Sequence, residues 1–434
     1  MKSKLGILFI ASIIVIISIS LAYTDGTRSL TTASAARSSV ATLPTTNYRL
    51  LSWNDLGMHC YNHDFADLAV LPPYNNLWAQ VVLRGDPPQL VTQGIQVTYE
   101  FPDNTYSVGK SNFWTYAQQI FGLSTPLPDN IGLTGKGLSG TMDLVSDHFV
   151  AEGIPLTEFS DISPTLSAPY QLALITVKDI TTQAILAQAQ VVAPVSTEMH
   201  CDFCHSDDGD ATIEGGITPT GKVETNILTL HDKEEMEDYP AGHTGALMNR
   251  RPILCAECHS SNALGAPGVT GIPSLSNAMH SKHSELEDIT PDSNGCYNCH
   301  PGPVTQCLRD VMSEDFNMTC ISCHGDIGQV ATNPDPWLNE PRCDTCHGTN
   351  AQQNQALYRH STGHHGIYCE ACHDSTHAIA PSREPNDGLK FIALQGHTGT
   401  LSECIVCHAT DPTGEFQHSN IIPLTRFFIP MIHK

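Results

Sequence analysis

Cys320-Ile321-Ser322-Cys323-His324 and Cys343-Asp344-Thr345-Cys346-His347 begin 23 residues apart and share one pattern, Cys-x-x-Cys-His. Outward from this pair the pattern recurs five more times. Upstream it stands at Cys201, Cys204 and His205, at Cys255, Cys258 and His259, and at Cys296, Cys299 and His300. Downstream it stands at Cys369, Cys372 and His373 and at Cys404, Cys407 and His408. The seven copies use 14 of the 16 cysteines and leave only Cys60 and Cys307.

Two thiols three residues apart reach the two vinyl groups of one haem. The histidine that follows is then placed beneath the iron as the proximal ligand, which is the c-type haem attachment signature. One copy in isolation fits a redox or zinc Cys-x-x-Cys with an adjacent His. Zinc does not require a histidine directly after the second cysteine, however. With 22 His in 434 residues one would fall there by chance about once in twenty, and here it does so seven times in seven. The sequence therefore implies seven covalent haem c groups held by those 14 cysteines, with His205, His259, His300, His324, His347, His373 and His408 on the irons.

The region 196–434 has 239 residues, about 34 for each haem. That is too little chain for seven separate cores, so the macrocycles must bury against one another. A second histidine on each iron makes a closed electron carrier, whereas an open position binds a small molecule. Twelve non-motif histidines lie in this half. Gly242-His243-Thr244-Gly245 and Gly396-His397-Thr398-Gly399 repeat one pattern, and Gly363-His364-His365-Gly366 is a variant, so His243, His397 and His364 are expected as distal ligands. His280 and His283, three apart, share a face of any helical turn and suit two adjacent haems. His377 and His231 complete the expected seven, with His200, His418 and His433 in reserve.

Residues 1–22 carry Lys2 and Lys4 before an apolar run ending Ser20-Leu21-Ala22, a secretory signal peptide. No second stretch of that kind occurs, so no membrane span is expected in the mature chain. Residues 23–46 read as a flexible Ser/Thr/Ala leader. The net charge of −24 excludes a nucleic-acid binder, which needs a basic face. Eleven acidic residues against two lysines within 201–240 read as a solvated face.

Residues 47–195 contain one cysteine and three histidines, with short apolar runs between turn clusters. The segments 170–178 (YQLALITVK) and 184–192 (AILAQAQVV) flank a polar turn and predict a hairpin. Trp53-Asn54-Asp55-Leu56-Gly57-Met58-His59-Cys60 reads as a strand with its turn, or as a docking surface from which His59 or His63 reaches a haem. Cys60 and Cys307 fit either a disulfide or two separate thiols in an exported chain. The expected fold is mixed. An antiparallel β-sandwich-like domain over 47–195 precedes a heptahaem cytochrome c domain over 196–434 with short helices, coil and little other regular structure.

The seven motifs make the second half resemble the multihaem c-type cytochromes of respiratory microbes, in particular the extracellular group with many bis-His haems in one chain. The resemblance implies electron transfer to other redox proteins or to an extracellular acceptor. It also implies an extracytoplasmic location, secreted, at the cell surface or in the periplasm, and it extends to members that polymerise into filaments as homopolymers. The alternative within the same resemblance is a multihaem oxidoreductase that reduces a small inorganic substrate at one open haem. All seven motifs end in His, which departs from reductases that place Lys there.

Overall fold

The computed structural model describes residues 46–284, 286, 293–333 and 341–412. The expected signal peptide, nearly all of the leader, and the reserve ligands His418 and His433 lie outside the described residues. Among the described residues no helix is long and apolar enough to cross a membrane.

The first half is built from two five-stranded sheets. One has the order β1 (Tyr48–Trp53), β4 (Asn75–Leu83), β9 (His148–Ile154), β8 (Asp143–Val145), with β5 (Gln89–Leu90) also on β4. The other has the order β2 (His59–Cys60), β11 (Ile185–Ser196), β10 (Tyr170–Asp179), β6 (Ile95–Glu100), β7 (Ser139–Thr141). β3 (Leu68–Ala69) stands outside both. All pairings within the two sheets are antiparallel except β2 with β11. The predicted hairpin is β10–β11, in register Leu174↔Gln190, and Leu174 also faces Glu100 on β6.

Alternation explains the core. On β6 the residues Ile95, Val97 and Tyr99 are buried, and they pack with Ala173, Ile175 and Val177 of β10 against Leu77, Ala79 and Val81 of β4. β4 does not alternate between buried and exposed, because its other face is also covered. Leu51, Trp53, Trp78, Val82 and Val150 form a second cluster with Ala371, Leu394 and Val406 from the motif-bearing half. One sheet thus has a hydrophobic side for each half of the chain, and the described residues past 45 belong to one compact unit.

Further contacts fix the join. Ile253-Leu254 add to β3 as a parallel pair. Beside them the side chain of Asp67, 6% exposed, takes Arg251 Nη1 at 2.6 Å. Arg309, 1% exposed, reaches Asp387 through two hydrogen bonds of 2.8 and 3.2 Å and lies 5.1 Å from the ring of Tyr170 on β10.

The second half is a string of short helices and turns, as its sequence predicts. From 255 to 384 the buried apolar residues among those described are Ala256, Val311, Ala331, Tyr358, Ala371, Ala378 and Ala380. Five alanines, one valine and one tyrosine are a sparse side-chain core for some 130 residues.

Candidate haem-binding site

Each motif folds as a helical turn. Cys320–His324, Cys343–His347 and Cys369–His373 are α-helical, and Cys255–Glu257 and Cys404–Val406 are 3₁₀ turns. The backbone N–H of the motif histidine donates to the carbonyl of the first cysteine at 2.9 Å in His205, His300 and His408 and at 3.1 Å in His259. That i to i+4 bond puts both sulfurs and the imidazole on one side of the turn, as attachment to a single macrocycle requires.

Beside these turns lies a cavity of about 3050 Å³, and every motif contributes at least one cysteine to its wall. The thiols also lie close enough to affect one another's ionisation, which orders the motifs. Cys255 of the second motif feels Cys201 of the first, and Cys201 and Cys204 neighbour Cys299 of the third. Cys296 of the third is hydrogen-bonded to Cys320 of the fourth. Cys323 neighbours Cys346, Cys369 neighbours Cys343, and Cys372 neighbours Cys407. Each motif thus has a thiol within electrostatic reach of the next in the series second, first, third, fourth, fifth, sixth, seventh. The fourth, fifth and sixth motifs, which begin 23 and 26 residues apart, are consecutive in these thiol contacts.

Five of the seven motif histidines have a second imidazole opposite them. Motif His205 faces His283 with ring centres 6.3 Å apart, His259 faces His231 at 6.4 Å, and His300 faces His280 at 6.1 Å. His324 faces His377 at 6.1 Å and His408 faces His364 at 6.0 Å. An imidazole nitrogen binds a metal at about 2.0 Å and sits about 1.1 Å from its ring centre. Two imidazoles on opposite sides of one ion then have centres about 6.2 Å apart. All five pairs match that separation, and each joins a motif histidine to one outside the motifs. Among the described residues no group of three or more His, Cys, Asp or Glu side chains forms a metal cage. A haem asks only two protein ligands of its iron, because the macrocycle supplies four. The donor set, the cavity and the thiol order thus fit haem c.

The environment suits ligation. Burial pushes His205, His231, His280 and His324 below the usual histidine range, with neighbouring imidazoles adding to it for the first three. Burial, followed by nearby imidazoles, takes His300 and His377 down to about 4. A metal needs the neutral ring. The other ring nitrogen sets the tautomer. Nδ1 of His280, His283 and His259 faces the carbonyl oxygens of Ser276, Met279 and Pro273 at 2.7, 2.6 and 2.9 Å. His231 Nδ1 meets the Tyr239 hydroxyl at 3.0 Å, and His377 Nδ1 meets Cys307 Sγ at 3.4 Å. Carbonyl acceptors leave Nε2 without a proton and ready for iron.

Five of the seven expected distal ligands, His231, His280, His283, His364 and His377, thus stand opposite a motif histidine. The structure does not bring His243 or His397 into such a pair. The Arg250 guanidinium, a donor only, lies 2.7 Å from His243 Nδ1, which puts the proton of a neutral His243 on Nε2. The His397 side chain is half exposed, with Nδ1 on the Thr398 carbonyl at 2.9 Å and Nε2 3.6 Å from Glu403. The repeat that suggested both has a backbone cause. Gly242, Gly245, Gly396 and Gly399 all have φ between 84° and 101°, so Gly-His-Thr-Gly encodes a loop shape. In the variant, His364 and His365 themselves adopt φ of 36° and 60° between Thr362–Gly363 and Ile367–Tyr368, a strained turn that delivers His364 to His408.

His59 Nε2 faces the Pro72 carbonyl at 2.9 Å, and its ring lies against Tyr74. His63 lines the cavity, and His200 stacks on Phe203 and bonds the Gly302 carbonyl. Cys60 and Cys307 are both unbonded thiols, so the disulfide is not formed, although Cys307 feels the charge of Cys60. No family model, curated protein or solved structure matches this chain.

Proposed function

We propose that this chain is an exported heptahaem c-type cytochrome that carries electrons along a closely packed array of haems. The observation that carries this reading is the set of five motif-to-distal histidine pairs at the separation of two axial ligands. The bound haem supplies a one-electron Fe(III)/Fe(II) couple. The chain's residues do the rest. Paired sulfurs on one helical turn anchor and orient each group. The imidazoles facing His205, His259, His300, His324 and His408 would hold the second protein position on five of the irons and so leave no room there for a substrate. The unbroken neighbour order of the motif thiols supports a single path whose ends are the second and seventh motifs.

The signal-like N-terminus supports placement outside the cytoplasm, in the periplasm, at the cell surface or beyond it. Partners on this reading are other redox proteins or an extracellular acceptor, with homopolymer formation as the third partner class. Low-temperature EPR of the ferric protein tests the closed ligation. All-low-spin signals are expected. A high-spin species that binds nitrite or azide would replace the reading with that of a reductase.

A further inference from the structure

The β-rich half grips one motif directly. In the loop after β4, Gly85 N–H donates to the Cys407 carbonyl at 3.1 Å and Gly85 O accepts from Ala409 N at 3.3 Å. Arg49 Nε and Arg84 Nε donate to the carbonyls of Val406 and Ile405 at 2.8 and 3.0 Å. Asp86 completes the grip. Its Oδ1 accepts from Ala409 N at 3.1 Å, and its Oδ2 accepts from Thr410 N at 3.0 Å and from Thr410 Oγ1 at 2.7 Å. Three bonds thus hold the carboxylate in place, with Oδ1 3.5 Å from Nδ1 of His408.

This contact differs from every other Nδ1 contact described above. His259, His280 and His283 face carbonyls, His231 a hydroxyl and His377 a sulfur. Only His408 faces a carboxylate among them. Negative charge on the far nitrogen makes an imidazole a stronger donor and favours the more positive metal state. The Asp86 side chain is 38% exposed, so water screens part of this effect. Arg49 and Arg84 carry positive charge beside Cys407 and act the other way, so the carboxylate offsets part of their effect.

Resting on the heptahaem reading, we propose that Asp86 is a positioning residue for the seventh motif. It fixes the tautomer of His408 and lowers the reduction potential of that end of the chain. The β-rich half then does more than dock: it sets the electron affinity of one terminus through a residue 322 positions away from the histidine it touches.

The test is a spectroelectrochemical titration of the holoprotein and its Asp86→Asn and Asp86→Glu variants, each first checked for seven covalent haems by intact mass. In Asp86→Asn one seventh of the absorbance change is expected to move to higher potential. The expected change in the oxidised-to-reduced ratio is about tenfold, 59 mV for one electron. Asp86→Glu restores most of it. Thr410→Val, which loosens the grip but keeps the charge, leaves the titration unmoved. An unchanged titration in Asp86→Asn with seven haems present overturns this inference alone, as does a shift spread evenly over all seven. Fewer than seven haems in the wild-type chain overturns the heptahaem reading beneath it.

Discussion

Preventing haem attachment should unfold one half of this chain and spare the other. The perturbation is replacement of the fourteen motif cysteines by alanine, or expression in a host without haem attachment enzymes. The magnitude follows from the cavity of about 3050 Å³. Unfilled enclosed cavity costs about 24 cal/mol per Å³, and this space is partly open to solvent, so only its enclosed share counts. A whole domain is stable by only about 5–15 kcal/mol. An enclosed share of only about one-tenth would cost ~7 kcal/mol, the size of that entire margin. The alanine-dominated interior between 255 and 384 cannot offset it. The two sheets stand on a different footing, since their core of aromatic and branched residues is built without any motif residue. Hydrogen exchange read by mass spectrometry is the assay. Protected amides are expected in β1, β4, β6, β9, β10 and β11, with near-complete exchange from about 200 onward. Native-like protection of 255–384 in the haem-free chain would refute the argument that macrocycles form that core.

The remaining predictions concern single positions. His280→Ala should turn one haem in seven high-spin, while His243→Ala leaves the EPR spectrum all low-spin, because only His280 faces a motif histidine. Arg309→Met leaves Asp387 buried at 4% exposure without its partner. It should cost about 3–5 kcal/mol in urea unfolding, and adding Asp387→Leu should recover much of that. Burial pushes His59 down to about 4. Unfolded, it titrates near 6.5, so between those values the unfolded chain binds more protons and stability falls as pH drops. The loss is complete below pH 4 and reaches about 3 kcal/mol. His59→Gln, whose amide still donates to Pro72, should flatten that window in the difference between variant and wild-type pH–stability curves.

What the sequence made legible was local. Haem attachment demands Cys-x-x-Cys-His within one helical turn, so the motifs announce themselves, and the β10–β11 hairpin carries its turn between two strand-like runs. His280 and His283 were readable from a spacing of three on a helix. The illegible parts are long-range. Nothing in β4 (NNLWAQVVL) says that its second face meets Leu394 and Val406 some three hundred residues later. The thiol order places the second motif ahead of the first, and no spacing encodes that. The Gly-His-Thr-Gly repeat reports backbone shape first, since its glycines take positive φ in both copies, and among the described residues neither His243 nor His397 faces a motif histidine. Asp86 and Cys307 carry no motif at all. Only the fold brings them to the far nitrogens of His408 and His377.

The central claim is covalent and can be weighed. Intact mass of the denatured, exported chain, followed by peptide mapping, should give seven haem additions, one on each Cys-x-x-Cys-His. Free thiols at those cysteines, or zinc retained in place of pigment, would contradict the account.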